Sequence, residues 1–199
     1  MTSEELVQGS PEWLAARVGR ITASRINDVL AKGGVSRANY RNQIVAERLT
    51  GLPCGPSFAS PAMERGIAEE PASRAAYEAA TGNVVRLVGF VPHPTLMAGA
   101  SPDGLIGEDG LLELKNPNSD TQVGYVASQE VPTKYIAQMN WQMACTGRKW
   151  CDFCSYDSRL DGNFRIFIKR VERSELWISM AEAAVETFLQ EVDELLKLE

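Results

Sequence analysis

Ser101-Pro102-Asp103-Gly104-Leu105 and, after six intervening residues, Leu112-Glu113-Leu114-Lys115 form the most informative stretch of this 199-residue chain. Residues two apart on a strand share a face. Glu113 and Lys115 therefore project together, while Leu112 and Leu114 enter the core on the other side. Asp103 falls at a strand end. An Asp, a Glu and a Lys aimed at one spot are rare in a folded chain unless something sits between them.

Two carboxylates with backbone oxygens nearby suit Mg²⁺, which takes hard oxygen donors and keeps several waters. A lysine beside them can orient or help deprotonate a water. That set is equipped to hydrolyse a phosphodiester. The bare spacing D-x9-E-x-K also describes an exposed, salt-bridged hairpin. The flanking Ser-Pro-Asp-Gly and the apolar setting of Glu-Leu-Lys strengthen the catalytic reading.

Outward from this stretch, residues 8–50 read as helical. Pro11 suits a first helical turn before Trp13 and Leu14. Thr22 or Ser24 is placed to cap a second segment ended by Gly33-Gly34, and Ser36 a third closed by Gly51. Residues 51–61 read as a loop from their Pro and Gly content. A helix over about 62–80 follows, stopped by Gly82, with a kink or break predicted near Glu70 by Pro71. Strands are predicted at 84–91, 97–100 and 111–115. The dipeptides Asp103-Gly104 and Asp109-Gly110 mark turns, so a hairpin is expected between residues 97 and 115. A helix over 134–146, capped by Thr133 and closed by Gly147, leads to strands at 150–156 and 164–171 joined through Asp161-Gly162. An amphipathic helix over 174–197 ends the chain. The order predicts a central mixed sheet flanked by helices, an α/β (α+β) fold in one domain over 1–199, with a helical part at 8–50, a core at 62–171 and the final helix at 174–197.

Composition narrows the function. The net charge of −6 argues against a surface coated in nucleic acid, though not against a channel of confined positive charge. One histidine, His93 between two prolines, excludes His-rich zinc sites, HExxH proteases and facial-triad oxygenases. No apolar run approaches the ~18–20 residues of a membrane helix. With no export signal at the N-terminus, the expected location is cytoplasmic and the four cysteines, Cys54, Cys145, Cys151 and Cys154, are expected as reduced thiols. Cys151 and Cys154, three apart on a strand, point to opposite faces.

Asp103 with Glu113-Leu114-Lys115 resembles the PD-(D/E)xK nuclease core, a restriction-endonuclease-like fold. More narrowly, the chain resembles the YqaJ-type, lambda-exonuclease-like viral recombinases over most of its length. Its blocks are Trp13-Leu14-Ala15-Ala16-Arg17 with Ile21-Thr22-Ala23-Ser24, then residues 66–70, 101–105, 112–115 and 135–138. The resemblance implies that Asp103, Glu113 and the backbone carbonyl of Leu114 hold Mg²⁺, with Mn²⁺ able to substitute, and that Lys115 positions the attacking water. It implies an acidic role for Glu70 and a place for Gln138 near the reacting end. Arg17, Ser24 and Ser101 match a pocket for a 5′-phosphate, which an Arg fork and hydroxyls suit. Met63 falls where the family inserts an apolar wedge into the duplex end. Implied with these are 5′→3′ digestion of linear double-stranded DNA to mononucleotides, 3′ single-stranded tails, a single-strand annealing protein as partner and a homotrimeric ring. Arg20, Arg25, Lys32, Arg37, Arg41, Arg65, Lys134 and Arg148 are the basic residues available to line a channel.

The residues also allow plainer readings. Met63 reads as a core methionine, Arg17 as a surface ion pair, Ser24 as a helix cap and Glu70 as part of a solvated acidic face. Gln138 reads as a solvated or capping residue, and Tyr135 as packing. Three other functions compete: an iron–sulfur nuclease of the same core fold using the four cysteines, a non-catalytic DNA-end-binding module, and a small-molecule enzyme, which would lack a phosphate-cradling glycine loop.

Overall fold

The strand carrying Glu113 and Lys115 is the middle strand of a five-stranded sheet. The structure, a computed structural model, describes residues 5–54 and 61–198. The elements in order are α1 (Pro11–Arg17), β1 (Ile21–Thr22), a 3₁₀ turn (Ala23–Arg25), α2 (Ile26–Leu30), α3 (Val35–Thr50) and α4 (Pro61–Thr81). Then come β2 (Val85–Arg86), β3 (Val91–Pro92), β4 (Ala98–Ala100), β5 (Gly104–Ile106), β6 (Gly110–Lys115), α5 (Ser119–Ser128) and α6 (Thr133–Thr146). β7 (Trp150–Tyr156), β8 (Ile166–Glu172) and α7 (Glu175–Leu196) complete the chain.

The larger sheet has the order β2-β5-β6-β7-β8, and a smaller one the order β1-β4-β3. Within the larger sheet β6 and β7 are parallel, pairing Glu113 with Phe153 and Lys115 with Ser155, while the other pairs are antiparallel. Parallel neighbours need a crossover, and α5 and α6 supply it. Both faces of β6 are covered. Leu111 packs with Met139, Met143, Phe153 and Phe167 on the α6 side, and Leu112 and Leu114 pack with Tyr77, Ile106 and Cys154 on the α4 side. Glu113 shares the α6 side with Leu111. A third cluster joins α2, α3, α6 and α7 around Trp141, Tyr40 and Phe188. His93 is buried against it, its ring stacked on Trp141 and Nε2 3.2 Å from Glu182.

Several helix ends follow from sequence. Pro11 opens α1, and Ser10 accepts the N–H of Trp13 at 3.2 Å. Gly51, Gly82 and Gly147 take the left-handed conformation that closes α3, α4 and α6. The predicted serine and threonine caps of the early helices do not form. Thr22 precedes the 3₁₀ turn and Gly34 precedes α3 without a side-chain cap bond, and Thr133 is the first residue of α6 rather than its cap. α4 continues through Pro71 instead of breaking at Glu70. Pro71 and Ile67, whose carbonyl loses its helical partner there, both lie on the exposed side, where water can serve that carbonyl. The predicted loop at 51–61 falls in part on residues 55–60, outside the described residues.

The strands differ more. The predicted strand at 84–91 divides into β2 and β3, which enter different sheets. The hairpin is β5–β6, turning at 107–109, and β4 belongs to the smaller sheet. The glycines after Asp103 and Asp109 are not turn residues. Each opens a strand where a Cβ would collide, with Val85 Cγ1 at 2.1 Å for Gly104 and with the Trp150 ring at 2.2 Å for Gly110. The predicted strand at 164–171 begins at Ile166, after a 3₁₀ turn at Gly162–Phe164. α5 has no counterpart in the sequence reading.

Candidate active site

Asp103 spans the open end of the β5–β6 hairpin. Its N–H donates to the carbonyl of Leu112 at 3.1 Å, and its Oδ2 accepts the N–H of Leu114 at 2.6 Å. This places its carboxyl beside the Glu113-Leu114-Lys115 backbone. Glu113 is 1% exposed, and a carboxylate so buried needs donors on both oxygens. Its Oε1 accepts from Lys115 Nζ and from Gln138 Nε2, the latter at 2.7 Å, and its Oε2 accepts from Gln142 Nε2 at 2.5 Å. Lys115 Nζ also donates to the carbonyl of Leu114 at 3.1 Å and lies 5.2 Å from the centre of the Tyr135 ring.

Burial, then the charges of Glu113 and, more weakly, Glu70, push the Asp103 carboxyl up to about 8 against the opposing pull of Lys115 and the Leu114 N–H. For Lys115 burial pulls the other way, yet Glu113 and Asp103 outweigh it and hold the ammonium above its usual range. Two carboxyls share one lysine, so Asp103 keeps its proton at neutral pH unless a further cation comes to the site. Its oxygen donors are those of Asp103, Glu113 and the Leu114 carbonyl, a set whose remaining lone pairs fit a hard divalent cation with waters completing the shell. Among the described residues no three His, Cys, Asp or Glu side chains gather into a ready-made cage. Glu70 lines the same cleft, of about 480 Å³, with Gly66, Asp103, Lys115 and Tyr135, and its Oε1 is 3.4 Å from Arg74.

A second cavity, of about 180 Å³, is lined by Trp13, Arg17, Thr22, Ser24, Ser101 and Gln138 among others. Burial draws the Arg17 guanidinium below its usual pKa range, with Tyr40 and Glu47 opposing. Arg17 stacks 3.8 Å over Trp13, whose Nε1 donates to Ser101 Oγ at 2.9 Å. Because that oxygen already accepts, the Ser101 hydroxyl proton is free to donate elsewhere. Ser24 is exposed within the 3₁₀ turn, its Oγ 3.4 Å from Thr22 Oγ1. One arginine and several hydroxyls in a small pocket suit a phosphate. Gln138 is the link between the two sites: it lines this pocket and bonds Glu113.

The structure thus brings Asp103, Leu114, Lys115 and Glu70 to one cleft, with Glu113 buried beside Lys115, and Arg17, Ser24, Ser101 and Gln138 to a pocket tied to it through the Gln138–Glu113 bond. Met63 lies near the start of α4, and its side chain is outside the described residues. Tyr135 packs on Phe153, ring centres 5.5 Å apart, and also lines the cleft. Sequence reasoning missed Trp13 as the pocket's organiser and Gln142 as a donor to Glu113. The i, i+4 spacing of Gln138 and Gln142, on a helix whose buried run is mostly apolar, was the available signal.

Most of the candidate channel cations are spent on the fold. Arg25 pairs with Asp28, and Arg37 and Arg41 with Glu191. Arg65 bonds carbonyls at 116 and 117, and Arg148 bonds carbonyls at 106, 107 and 110. The four cysteines are free, and Cys145, Cys151 and Cys154 lie in three different core clusters. They do not converge as cluster ligands, which removes the observation behind the iron–sulfur alternative.

The profile of the YqaJ-like viral recombinase domain matches residues 12–149. The crystal structure of an alkaline exonuclease from Laribacter hongkongensis is 44% identical, with a TM-score of 0.89 over 95% of each chain. The same exonuclease in complex with dAMP superposes with a TM-score of 0.90, at the same identity and coverage. A phage-related exonuclease from Haemophilus somnus shares the fold at 10% identity, with a TM-score of 0.67 over 89% of this chain and 95% of its own. A search of curated proteins finds no match. With Asp103 and Glu113-Leu114-Lys115 at the end of a parallel strand pair and the profile covering more than half its length, the chain belongs to the YqaJ-like viral recombinase family and is a nuclease of the PD-(D/E)xK type.

Proposed function

We propose that the chain, as one nuclease domain over residues 1–199, is a Mg²⁺-dependent 5′→3′ exonuclease that degrades one strand of linear duplex DNA from a 5′-phosphorylated end. The observation that carries this reading is the link at Gln138, which lines the small pocket and bonds Glu113. A phosphate held by Arg17, Ser24 and Ser101 sits next to the carboxylates, so the bond to be cut is measured from the strand's 5′ end. The pocket's small volume favours a terminal phosphate over a continuing backbone. A relative 44% identical is known in complex with dAMP, in keeping with mononucleotide products.

Asp103, Glu113 and the Leu114 carbonyl would hold Mg²⁺, or Mn²⁺ in its place. When bound, the cation supplies Lewis acidity at the scissile phosphate and a more acidic water. Lys115, kept as an ammonium by its two carboxylate neighbours, donates to the attacking water and orients it rather than taking its proton. Arg17 grips the 5′-phosphate as a charged fork, and Gln138 joins that grip to the position of Glu113. Glu70, at the far side of the cleft, acts through solvent, and Met63 is the proposed wedge at the duplex end.

The family resemblance further supports a homotrimeric ring around DNA, 3′ single-stranded tails as the outcome, and a single-strand annealing protein as partner in the cytoplasm. No helix among the described residues is long and apolar enough to cross a membrane. The test is digestion of a linear duplex labelled at either end, with 5′-phosphate or 5′-hydroxyl termini. Release of the 5′ label first, in Mg²⁺ and not in EDTA, with a preference for 5′-phosphate, is the expected result. Binding of duplex ends without cutting would leave a recognition module instead.

A further inference from the structure

We infer that Gln142 is a positioning residue for Glu113: its buried side-chain amide, supported by Cys151, fixes the rotation of the carboxylate that faces the cation site. The inference rests on the nuclease reading given above.

Gln142 is completely buried on α6, in a run whose other members include Met139, Trp141, Met143 and Ala144. A glutamine in such a place costs free energy unless its amide is bonded, and an apolar residue would fill the volume more cheaply. Its Nε2 donates to Glu113 Oε2 at 2.5 Å. Among the described residues that oxygen has no other protein donor, whereas Oε1 has two, Lys115 and Gln138. Without Gln142 the carboxylate is held at one oxygen only and is free to rotate about it.

The amide's own orientation is also fixed. Cys151 Sγ lies 3.9 Å from Gln142 Oε1. Burial, with Glu113 and Asp103 adding to it, pushes the Cys151 thiol well above its usual range, so it remains an S–H donor. The thiol proton has a second acceptor in the Asp152 carbonyl at 4.0 Å, so the carboxylate, which only the amide nitrogen can serve, sets which way the amide faces, and the thiol supports it from the oxygen side. Gln138 differs because it is part-exposed and lines the phosphate pocket. Gln142 touches neither cavity, so its effect on the reaction passes through Glu113.

The test compares wild type with Gln142→Met, which keeps the volume and removes the donor. Mn²⁺ is titrated into EDTA-stripped, DNA-free protein and followed by the electron paramagnetic resonance signal of free Mn²⁺. The expected result is affinity about tenfold weaker or worse, the usual effect of losing an outer-shell partner. Equilibrium binding of 5′-phosphorylated duplex without metal should be unchanged, and Cys151→Ala should give a smaller loss in the same direction. Unchanged Mn²⁺ affinity in folded Gln142→Met overturns the inference alone, whereas wild type that binds no Mn²⁺ overturns the metal-nuclease reading itself. Should Gln142→Met fail to fold, ¹⁵N spectra of wild type decide: the Gln142 amide signals should shift on adding Mg²⁺, and signals unmoved at saturation overturn the inference.

Discussion

The guanidinium of Arg17 lies 3.8 Å above the ring of Trp13. Since the same indole donates to Ser101, one residue holds both the charge and a hydroxyl of the phosphate pocket. Arg17→Ala should therefore remove most of the preference for 5′-phosphorylated ends. A hydrogen bond to a charged group is worth ~1.5–3 kcal/mol, which corresponds to roughly 10- to 100-fold in the kcat/KM ratio between phosphate and hydroxyl ends. Trp13→Phe keeps a ring under Arg17 but loses the donor to Ser101, and an intermediate ratio is expected. A ratio untouched by Arg17→Ala would show that the phosphate binds elsewhere.

Lys115 donates to Glu113 and to the Leu114 carbonyl, with its charge fixed by two carboxylates. Lys115→Ala should leave binding of DNA ends largely intact and abolish turnover, read by gel shift and by nucleotide release on one preparation. Mg²⁺ should restore EDTA-treated wild type and Ca²⁺ should not, because a larger ion with looser geometry places its ligands differently. Digestion by the Lys115→Ala protein at the wild-type rate would remove this lysine from the mechanism.

What the sequence makes legible here is periodic or chemical. The alternation at 111–115 gave β6, and the charge pattern on it gave the cleft. The Pro11, Gly51 and Gly147 signals gave helix ends. What it hid was tertiary. α5 contains Gly124 and two serines, and its anchor is Gln122, fully buried and bonded to the carbonyls of Ser155 and Phe164. No local preference announces such a helix. Gly104 and Gly110 mimic turn glycines, but their reasons lie in Val85 and Trp150, distant in the chain. Gln142 has no place in the sequence reading because its partner stands 29 residues earlier on a strand.

Thiol accessibility offers a separate check. Burial pushes the Cys154 thiol up to about 12 and lifts Cys145 and Cys151 as well. The thiolate is the reactive form, so these three should resist Ellman's reagent at pH 8 in the native state. Cys54 is half-buried, beside the end of α3. The expected count is one reactive thiol native and four in denaturant, in a colourless protein. Rapid native reaction of three or four would mean that the sheet and α6 open readily.

Acid stability should carry a signature of Asp157. Its carboxyl bonds Arg159 Nε at 2.7 Å and Nη2 at 2.8 Å, and this pairing holds it down to about 2. The folded-state pKa is thus below the unfolded value of ~3.9. The contribution is fully present above about pH 4 and is lost as pH falls through the folded value near 2. Asp157→Asn should flatten the part of the stability curve between roughly pH 4 and 2, measured by urea unfolding at stepped pH. A variant whose acid limb matches wild type would assign that limb to other carboxylates.

Asn116, the residue after Lys115, ties the end of β6 to α4. Its Nδ2 donates to the Gly66 carbonyl at 2.9 Å, and its Oδ1 accepts from Ser73, which is fully buried. Glu70 lies on α4 between these two attachment points, so the bolt sets how that carboxylate faces Asp103. Asn116→Ala removes both bonds and should cost ~1–3 kcal/mol, a fall in Tm on the order of 2–10 °C at this chain length. The loss should also lower kcat while leaving the 5′-phosphate preference intact, because Arg17, Trp13 and Ser101 do not touch this joint. A variant with lowered Tm and unchanged kcat would mean that the position of α4 matters to the fold and not to the reaction.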